Sequence, residues 1–460
     1  MGELARLINK ELGTNVYLCY QCKKCTNGCP LADKFDLTPH QLMRYLQLGR
    51  DDMVLRSRTA WLCATCYTCS TRCPQDLDIA RIMDVVKVEA QKRGIPSPVP
   101  EIFAFAKAGV NNIRIFGRMY ELGMMAEMYL RMLFSRSLDF KGVLQRDVPM
   151  GLKMFLKGKL RLIPARPGRA ESKAPEGVLG YYPGCSLHST SAEYDLSVRA
   201  VFQHLGVPLY EPEGWICCGT SPAHSTDHVL AAALPIQNMA VFEKSGLSKV
   251  MMPCSACYSR FKAAVYDIQR NEELAKAVKE QTGYEYKGGI QVLHLLEALE
   301  DVGLSKIAEK VTRPLSGLKV VSYYGCLITR PPKIVRAPHY EYPVIMDRLV
   351  EVTGAQSLDW SYKTYCCGGS VTLSKTDAVL DMIRRIIEDA HKVGAEAIVV
   401  ACPLCQINLD TRQDLLGLDY RMPVVYITQL LGLAFGLKPS ELGFQKHFVD
   451  VSPVLKVVAV

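Results

Sequence analysis

A chain of 460 residues, 49% of them hydrophobic, can bury a substantial core and is long enough for two or three soluble, globular domains. Its formal charge of +9 does not call for nucleic acid, because that count treats eighteen cysteines as neutral, and cysteines that bind metal as thiolates bring negative charge. Eighteen cysteines leave three explanations, a secreted disulfide scaffold, a zinc protein or an iron-sulfur protein, and spacing decides among them. The opening Met1-Gly-Glu-Leu-Ala-Arg-Leu-Ile-Asn-Lys has neither an apolar signal region nor a small-residue cleavage site, and Arg6 stands where myristoylation requires Ser or Thr. A cytoplasmic setting is expected, where a reducing environment keeps thiols available to metal.

Residues 1–95 are expected to form a small, mainly helical domain, since Pro39-His-Gln-Leu-Met-Arg-Tyr-Leu-Gln-Leu-Gly and Ile79-Ala-Arg-Ile-Met-Asp-Val-Val-Lys place apolar side chains three or four apart. Cys19, Cys22, Cys25 and Cys29 are followed by Pro30, and Cys63, Cys66, Cys69 and Cys73 by Pro74. The same run of two, two and three intervening residues thus occurs twice, and it is the bacterial ferredoxin run. Three such cysteines wrap three corners of a cubane 4Fe-4S cluster with one turn of backbone, and in two-cluster ferredoxins the fourth ligates the neighbouring cluster. The predicted ligand sets are therefore Cys19, Cys22, Cys25 and Cys73 for one cubane cluster, and Cys63, Cys66, Cys69 and Cys29 for the other. Zinc motifs use two separated pairs and have no need of the Cys-Pro ending.

Residues 96–177 contain no cysteine. The run Met119-Tyr-Glu-Leu-Gly-Met-Met-Ala-Glu-Met-Tyr-Leu-Arg-Met-Leu-Phe134 reads as an amphipathic helix whose methionines suit internal packing or an adaptable partner surface. Lys153, Lys157, Lys159, Arg161, Arg166 and Arg169, with Pro164 and Pro167 among them and no acidic residue between Lys153 and Arg169, read as a solvated linker or as a docking surface for an acidic partner. The Pro-, Gly- and Arg-containing segment up to Gly177 marks a boundary between domains.

The remainder is an internal duplication, with modules expected at 178–310 and 311–460. Tyr181-Tyr-Pro-Gly-Cys185, Cys217-Cys218-Gly219 and Cys254-Ser-Ala-Cys257 recur as Tyr323-Tyr-Gly-Cys326, Cys366-Cys367-Gly368 and Cys402-Pro-Leu-Cys405. Strand-like runs precede the cysteines at Gly177-Val-Leu-Gly-Tyr-Tyr, Lys249-Val-Met-Met, Leu318-Lys-Val-Val-Ser-Tyr-Tyr and Ala397-Ile-Val-Val-Ala, while Ser191 to Leu205 and Thr376 to Val393 read as helices. Such alternation implies α/β modules with parallel sheets, whose ligands collect beyond the carboxyl ends of the strands. The fold class expected is α+β overall, a helical N-terminal domain ahead of a pair of duplicated α/β modules. Val424 to Leu437 is uncharged but shorter than the roughly 20 residues a bilayer requires, so a buried element is expected there and no transmembrane segment.

Five thiols per module exceed what tetrahedral zinc or a standard cubane uses, and spacing alone leaves a cluster, a zinc site or a redox dithiol open. Adjacent cysteines diverge from a regular backbone, so a centre using both must approach a turn, which Gly219 and Gly368-Gly369 permit.

This duplicated pattern resembles the CCG domain of the B subunit of heterodisulfide reductase, and the first half resembles its C subunit, with the α-helical ferredoxin domain also found in succinate dehydrogenase. The resemblance spans nearly the whole chain, including Arg118-Met-Tyr-Glu-Leu-Gly and the tail Lys446-His-Phe-Val-Asp, and reads as a natural C-B fusion. It implies two noncubane 4Fe-4S clusters, each held by five cysteines that form the catalytic set: Cys185, Cys217, Cys218, Cys254 and Cys257, and Cys326, Cys366, Cys367, Cys402 and Cys405. It further implies that these clusters face each other across a cleft where a small-molecule disulfide takes one electron from each and is cleaved homolytically. The cubane pair would feed that site from a flavoprotein resembling the A subunit, with hydrogenase or dehydrogenase subunits completing a hetero-oligomeric complex. No dinucleotide fingerprint places a flavin on this chain.

Leu327 stands where the methanogen pattern often has a histidine, so the methanogenic heterodisulfide is not implied as substrate. His188, His224 and His228 are candidate proton donors or packing residues, and Arg330, Lys333 and Arg336 are candidates for meeting an anionic substrate or simple surface charge. A second reading is a non-catalytic electron relay in a larger oxidoreductase linked to quinone, glycerol-phosphate or acyl-CoA chemistry.

Overall fold

The computed structural model describes residues 2–168 and 173–458; Arg169 of the basic stretch lies outside the described residues. The N-terminal part is helical, as expected. Helix Pro39–Gln47 starts at Thr38, which forms a capping box with Gln41, and it buries Leu42, Met43 and Leu46. Helix Ile79–Lys92 starts where the Asp78 carboxylate accepts from the Arg81 amide. Its polar side chains cross to the first duplicated module. Arg81 forks Asp267 at 2.8 Å in both arms, Lys87 Nζ donates to Ser225 Oγ at 3.2 Å, and Gln91 Nε2 donates to the Ser225 carbonyl at 2.7 Å.

The methionine-rich run forms helix Glu121–Phe134, and Met124, Met128 and Met132, spaced one turn apart, pack on Ala104 and Ala108 of helix Pro100–Phe116. The basic stretch that follows is not uniformly solvated. Lys159 is fully buried with its Nζ 2.6 Å from Glu193 Oε1, itself fully buried.

Each duplicated module is built on a four-stranded, all-parallel sheet. In the first, β1 (Leu179–Tyr181), β2 (Leu209–Tyr210), β3 (Lys249–Met252) and β4 (Gln291–His294) lie in the order β2-β1-β3-β4. In the second, β5 (Lys319–Tyr323), β6 (Gln356–Leu358), β7 (Ala397–Val400) and β8 (Val424–Tyr426) repeat it as β6-β5-β7-β8. Val424 to Leu437 resolves into β8 and the wholly buried helix Ile427–Ala434. The fold is thus α+β, a helical domain followed by two parallel α/β modules.

The two modules form one packed unit. Helix Ala192–His204 of the first lies along Ile427–Ala434 of the second; Tyr194 stacks on Tyr426 with ring centroids 3.9 Å apart, and Ser197 Oγ lies 2.7 Å from Thr428 Oγ1. Tyr181, Tyr194, Val198 and Phe202 belong to the same core as β5, β7 and β8. Each such side chain removed from water contributes about 1.5–3 kcal/mol.

Candidate metal centres

The two ferredoxin runs share one backbone. Gln21 and Lys23 have φ of 64° and 65°, and the corresponding Thr65 and Tyr67 have 50° and 58°. Four non-glycine residues in the left-handed region, each costing roughly 1–2 kcal/mol, curl both loops inward and hold their cysteines on the concave side. A cavity opens inside the second loop, lined by Cys29, Cys63, Cys66 and Cys69 with Leu31, Phe35, Ala80 and Met83 among the apolar walls. Burial pushes the Cys69 thiol well up, and the charges next in effect are Cys63, Cys66 and Cys29. The fourth cysteine of the first run therefore stands with the first three of the second. At the other loop, Cys19 and Cys22 neighbour Cys25, and Tyr20 neighbours both Cys22 and Cys73. Cys22 is the one exposed cysteine. Four thiols around one cavity, with no carboxylate or imidazole among its walls, fit an iron-sulfur cluster.

In each module the cysteines gather beyond the carboxyl ends of the three adjoining strands: Cys185 after β1, Cys217 and Cys218 after β2, Cys254 and Cys257 after β3, and the second set likewise after β5, β6 and β7. Adjacent cysteines diverge in the second module, while in the first they reach different partners but stay in contact with each other. Cys217 reaches Cys185 while Cys218 lies 3.1 Å from Cys257, and Cys366 lies 4.0 Å from Cys326 while Cys367 lies 3.6 Å from Cys405. Cys254 and Cys402 cap helices Ser255–Ile268 and Pro403–Thr411, where the helix dipole favours thiolate. Sulfur–sulfur hydrogen bonding draws Cys218, beside Cys217 and Cys257, and Cys402, beside Cys405, down to about 6. Among the described residues no three of His, Cys, Asp or Glu converge as ligands of a single metal ion. A polynuclear cluster spreads its thiolates over several irons, and five thiols arranged alike in both modules fit such a group.

Glycine builds these cradles. Gly184 and Gly325 precede the first cysteines with φ of 71° and 69°, and a Cβ there would stand 3.1 Å from Cys257 Sγ and 2.9 Å from Cys405 Sγ. We expect Gly325→Ala to lower iron and acid-labile sulfide in anaerobically prepared protein by one cluster, through a loss of about 10–100-fold in affinity. Gly177→Ala, strained alike at φ 74° but with nothing within 4 Å, should keep full iron; equal losses in both would assign the effect to backbone strain alone.

The centres adjoin in sequence. Cys66 of the helical domain adjoins Cys366 of the second module, whose nearness draws the Cys66 thiol down. Ser370 Oγ donates to the Ala64 carbonyl at 2.9 Å beside it. The second module meets the first where Cys402 adjoins Ser255, the residue after Cys254. At the first module, the edge equivalent to Cys326 and Cys366 is covered by residues 117–121: the Cys217 amide donates to the Gly117 carbonyl at 2.8 Å, and the Met119 amide to Cys185 Sγ at 3.2 Å. A small cavity opens there, lined by Cys185, Arg118, Arg161, His188, Ser189 and Trp215 together with Met119, Tyr120, Glu121 and Ala165. The Arg118 guanidinium lies 3.6 Å from the Trp215 ring centre, and its Nε donates to the Trp215 carbonyl at 3.1 Å. Nothing in the run Arg118-Met-Tyr-Glu-Leu-Gly signals this role locally, because its partners Cys185 and Trp215 lie 66 and 97 residues on.

The remaining candidates separate. His188 lines that cavity, its Nε2 3.0 Å from Glu211 Oε1. His224 and His228 instead face the helical domain, at 3.0 Å from Asp84 and 3.8 Å from Glu11. Arg330 is neither surface charge nor open to a ligand: it is buried, and its Nη1 donates to Thr68 Oγ1 at 2.9 Å and the Thr364 carbonyl at 2.8 Å. Lys333 pairs with Asp76 at 3.4 Å, and Arg336 is exposed. Leu327 packs between the helical domain's core and the first module's core. Among the described residues no helix is long and apolar enough to cross a membrane.

Comparison with known proteins agrees with this division. A 4Fe-4S dicluster domain matches residues 18–78, and a cysteine-rich domain matches 179–262 and again 320–410. Over 282 residues, 59% of this chain and 97% of the relative, the chain is 32% identical to the 8-methylmenaquinol:fumarate reductase membrane anchor subunit of Wolinella succinogenes. Over 283 residues, 59% of this chain and 94% of the relative, it is 31% identical to the B subunit of the ferredoxin/F(420)H(2)-dependent CoB-CoM heterodisulfide reductase of Methanosarcina acetivorans. A further 98 residues, 20% of this chain and 51% of the relative, are 38% identical to the iron-sulfur C subunit of the CoB–CoM heterodisulfide reductase of Methanopyrus kandleri.

Proposed function

Because the chain belongs to the heterodisulfide reductase subunits, as an iron-sulfur electron-transfer protein in which a C-type ferredoxin domain precedes a B-type pair of cysteine-rich domains, we propose that it carries electrons from a flavoprotein partner to a disulfide. Residues 1–95 would be the wire and the modules at 178–310 and 311–460 the reducing site, in a cytoplasmic hetero-oligomeric complex. Cys19, Cys22, Cys25 and Cys73 would hold one cubane cluster and Cys63, Cys66, Cys69 and Cys29 the other. Cys185, Cys217, Cys218, Cys254 and Cys257 would hold one noncubane cluster, and Cys326, Cys366, Cys367, Cys402 and Cys405 the second. When bound, such clusters supply stored single electrons.

The observation that carries this reading is the seating of the loop around Cys66 on the second five-cysteine site, where Ser370 Oγ donates to the Ala64 carbonyl at 2.9 Å and Arg330 bridges Thr68 and the Thr364 carbonyl. The Ser255–Cys402 contact continues the path to the first. At the far end, exposed Leu18 and Tyr20 around Cys22 give a partner an apolar rim to dock on. At the Cys185 cavity, Arg118 and Arg161 orient a small molecule carrying negative charge, and Trp215 closes one wall against water. His188 is the imidazole placed to give a proton to a product thiolate, from the ring that Glu211 holds. The chain's likeness to a fumarate reductase subunit favours the second reading, a relay within a larger oxidoreductase.

Anaerobically reconstituted protein is expected to bind roughly 16 irons per chain and to cleave disulfides with reduced viologen as donor. Full iron, no cleavage of any disulfide, and transfer to a partner enzyme would instead establish the relay. An iron content near that of the two ferredoxin runs alone would overturn the five-cysteine assignments.

A further inference from the structure

Half of the large exposed hydrophobic side chains among the described residues, eleven of twenty-two, fall within the 34 residues 130–163. Phe134, Leu156 and Ile163 are 79%, 75% and 80% exposed. Helix Val148–Leu156, with the sequence Val-Pro-Met-Gly-Leu-Lys-Met-Phe-Leu, has a single charged residue and buries none of its side chains. Helix Glu121–Phe134 turns its methionines inward and leaves Leu130, Leu133 and Phe134 outside. A soluble monomer rarely exposes so many large apolar side chains in one short stretch without something to cover them.

The charge around it says what covers it. From Val148 to Gly168 the chain has no acidic residue and five basic ones. Of these, Lys159 is neutralised by Glu193, and Lys153 meets Asp414 at 3.4 Å in solvent. Arg161 lines the Cys185 cavity beside Glu121, whereas Lys157 donates to the Gln445 carbonyl and lies over the Phe448 ring without an acidic partner, and Arg166 has no hydrogen bond or ion pair among the described residues. Apolar side chains set among unneutralised cations, on helices too short to span a bilayer, are the pattern of a surface that lies in an anionic headgroup layer. We infer that residues 130–163 dock the protein peripherally on an anionic lipid bilayer.

The test is vesicle flotation with the full-length holoprotein under anaerobic conditions, and it needs no disulfide activity. Vesicles of phosphatidylcholine with phosphatidylglycerol should carry the protein, and phosphatidylcholine alone should carry much less. Phe155→Asp with Leu156→Asp should reduce partitioning at least about tenfold while iron content stays unchanged, and Leu48→Asp, at an exposed leucine elsewhere, should not. Absence of partitioning, or partitioning indifferent to anionic lipid and to the paired substitution, overturns the inference. So does loss of binding to a purified subunit in that variant when vesicles do not bind at all, since the surface would then belong to a protein partner.

Discussion

Arg330→Met should destabilise the holoprotein by about 3 kcal/mol, read from anaerobic guanidinium unfolding, and should slow electron transfer from the ferredoxin domain into the second module. The side chain has no exposure to speak of, and its fork makes four hydrogen bonds: Nη1 to Thr68 Oγ1 and the Thr364 carbonyl, Nη2 to Glu341 Oε2 at 2.9 Å and Thr364 Oγ1 at 3.1 Å. Thr68 lies between Cys66 and Cys69, and Thr364 lies two residues before Cys366, so one guanidinium fixes both sides of the contact between centres. Methionine fills similar volume but leaves the Thr364 carbonyl and the Glu341 carboxylate short of a donor. Glu341 is 37% exposed and keeps its pair with Arg72 at 3.0 Å, which sets the effect at the lower end of the range for buried pairs. Arg330→Lys keeps the charge without the fork and should recover less than half of the loss. Unchanged stability together with unchanged transfer would show that the loop around Cys66 is held by packing alone.

A larger and pH-dependent loss, about 3–5 kcal/mol at pH 8, is expected for Lys159→Met. Both members of the Lys159–Glu193 pair are fully buried at 2.6 Å, so removing the ammonium leaves a carboxylate without a counter-charge. Burial already raises Glu193 above its ordinary 4.5, and Lys159 is the largest influence holding it down. Without that lysine the folded carboxyl rises further above its unfolded value. The folded state then holds a proton that the unfolded state has released, so stability falls as pH rises through the folded value. The deficit should therefore be smallest near pH 5 and greatest at pH 8. Adding Glu193→Gln should return most of the stability at pH 8 and flatten the profile. A deficit independent of pH, or one that deepens as pH falls, would contradict this account.

Much of the molecule was legible in its cysteines. Their spacing separated a helical domain from two modules, and β1, β3, β5 and β7 lie where apolar runs lead into them. The edge strands were harder: β2 has two residues and β6 three, too few to show alternation, and β4 carries a histidine that serves to cap the next helix. Left-handed Gln21, Lys23, Thr65 and Tyr67 gave no signal because nothing in their side chains asks for that conformation; the loop imposes it. Arg330 and Lys159 looked like surface charge because their partners lie 262 and 34 residues away, beyond the reach of local pattern. The histidines divided for the same reason, since only the folded chain tells which face Asp84 and which face the Cys185 cavity.

Duplicating a domain copies its docking faces too, and two identical sockets invite two identical plugs. Here one socket takes the loop around Cys66, and the other is stoppered by the chain's own residues 117–121, tethered through the Gly117 carbonyl and the Met119 amide. The stopper thereby makes the two duplicated faces unequal, one open to the ferredoxin domain and one closed by the chain itself. A second loop of the Cys66 kind has no matching face left on the first module.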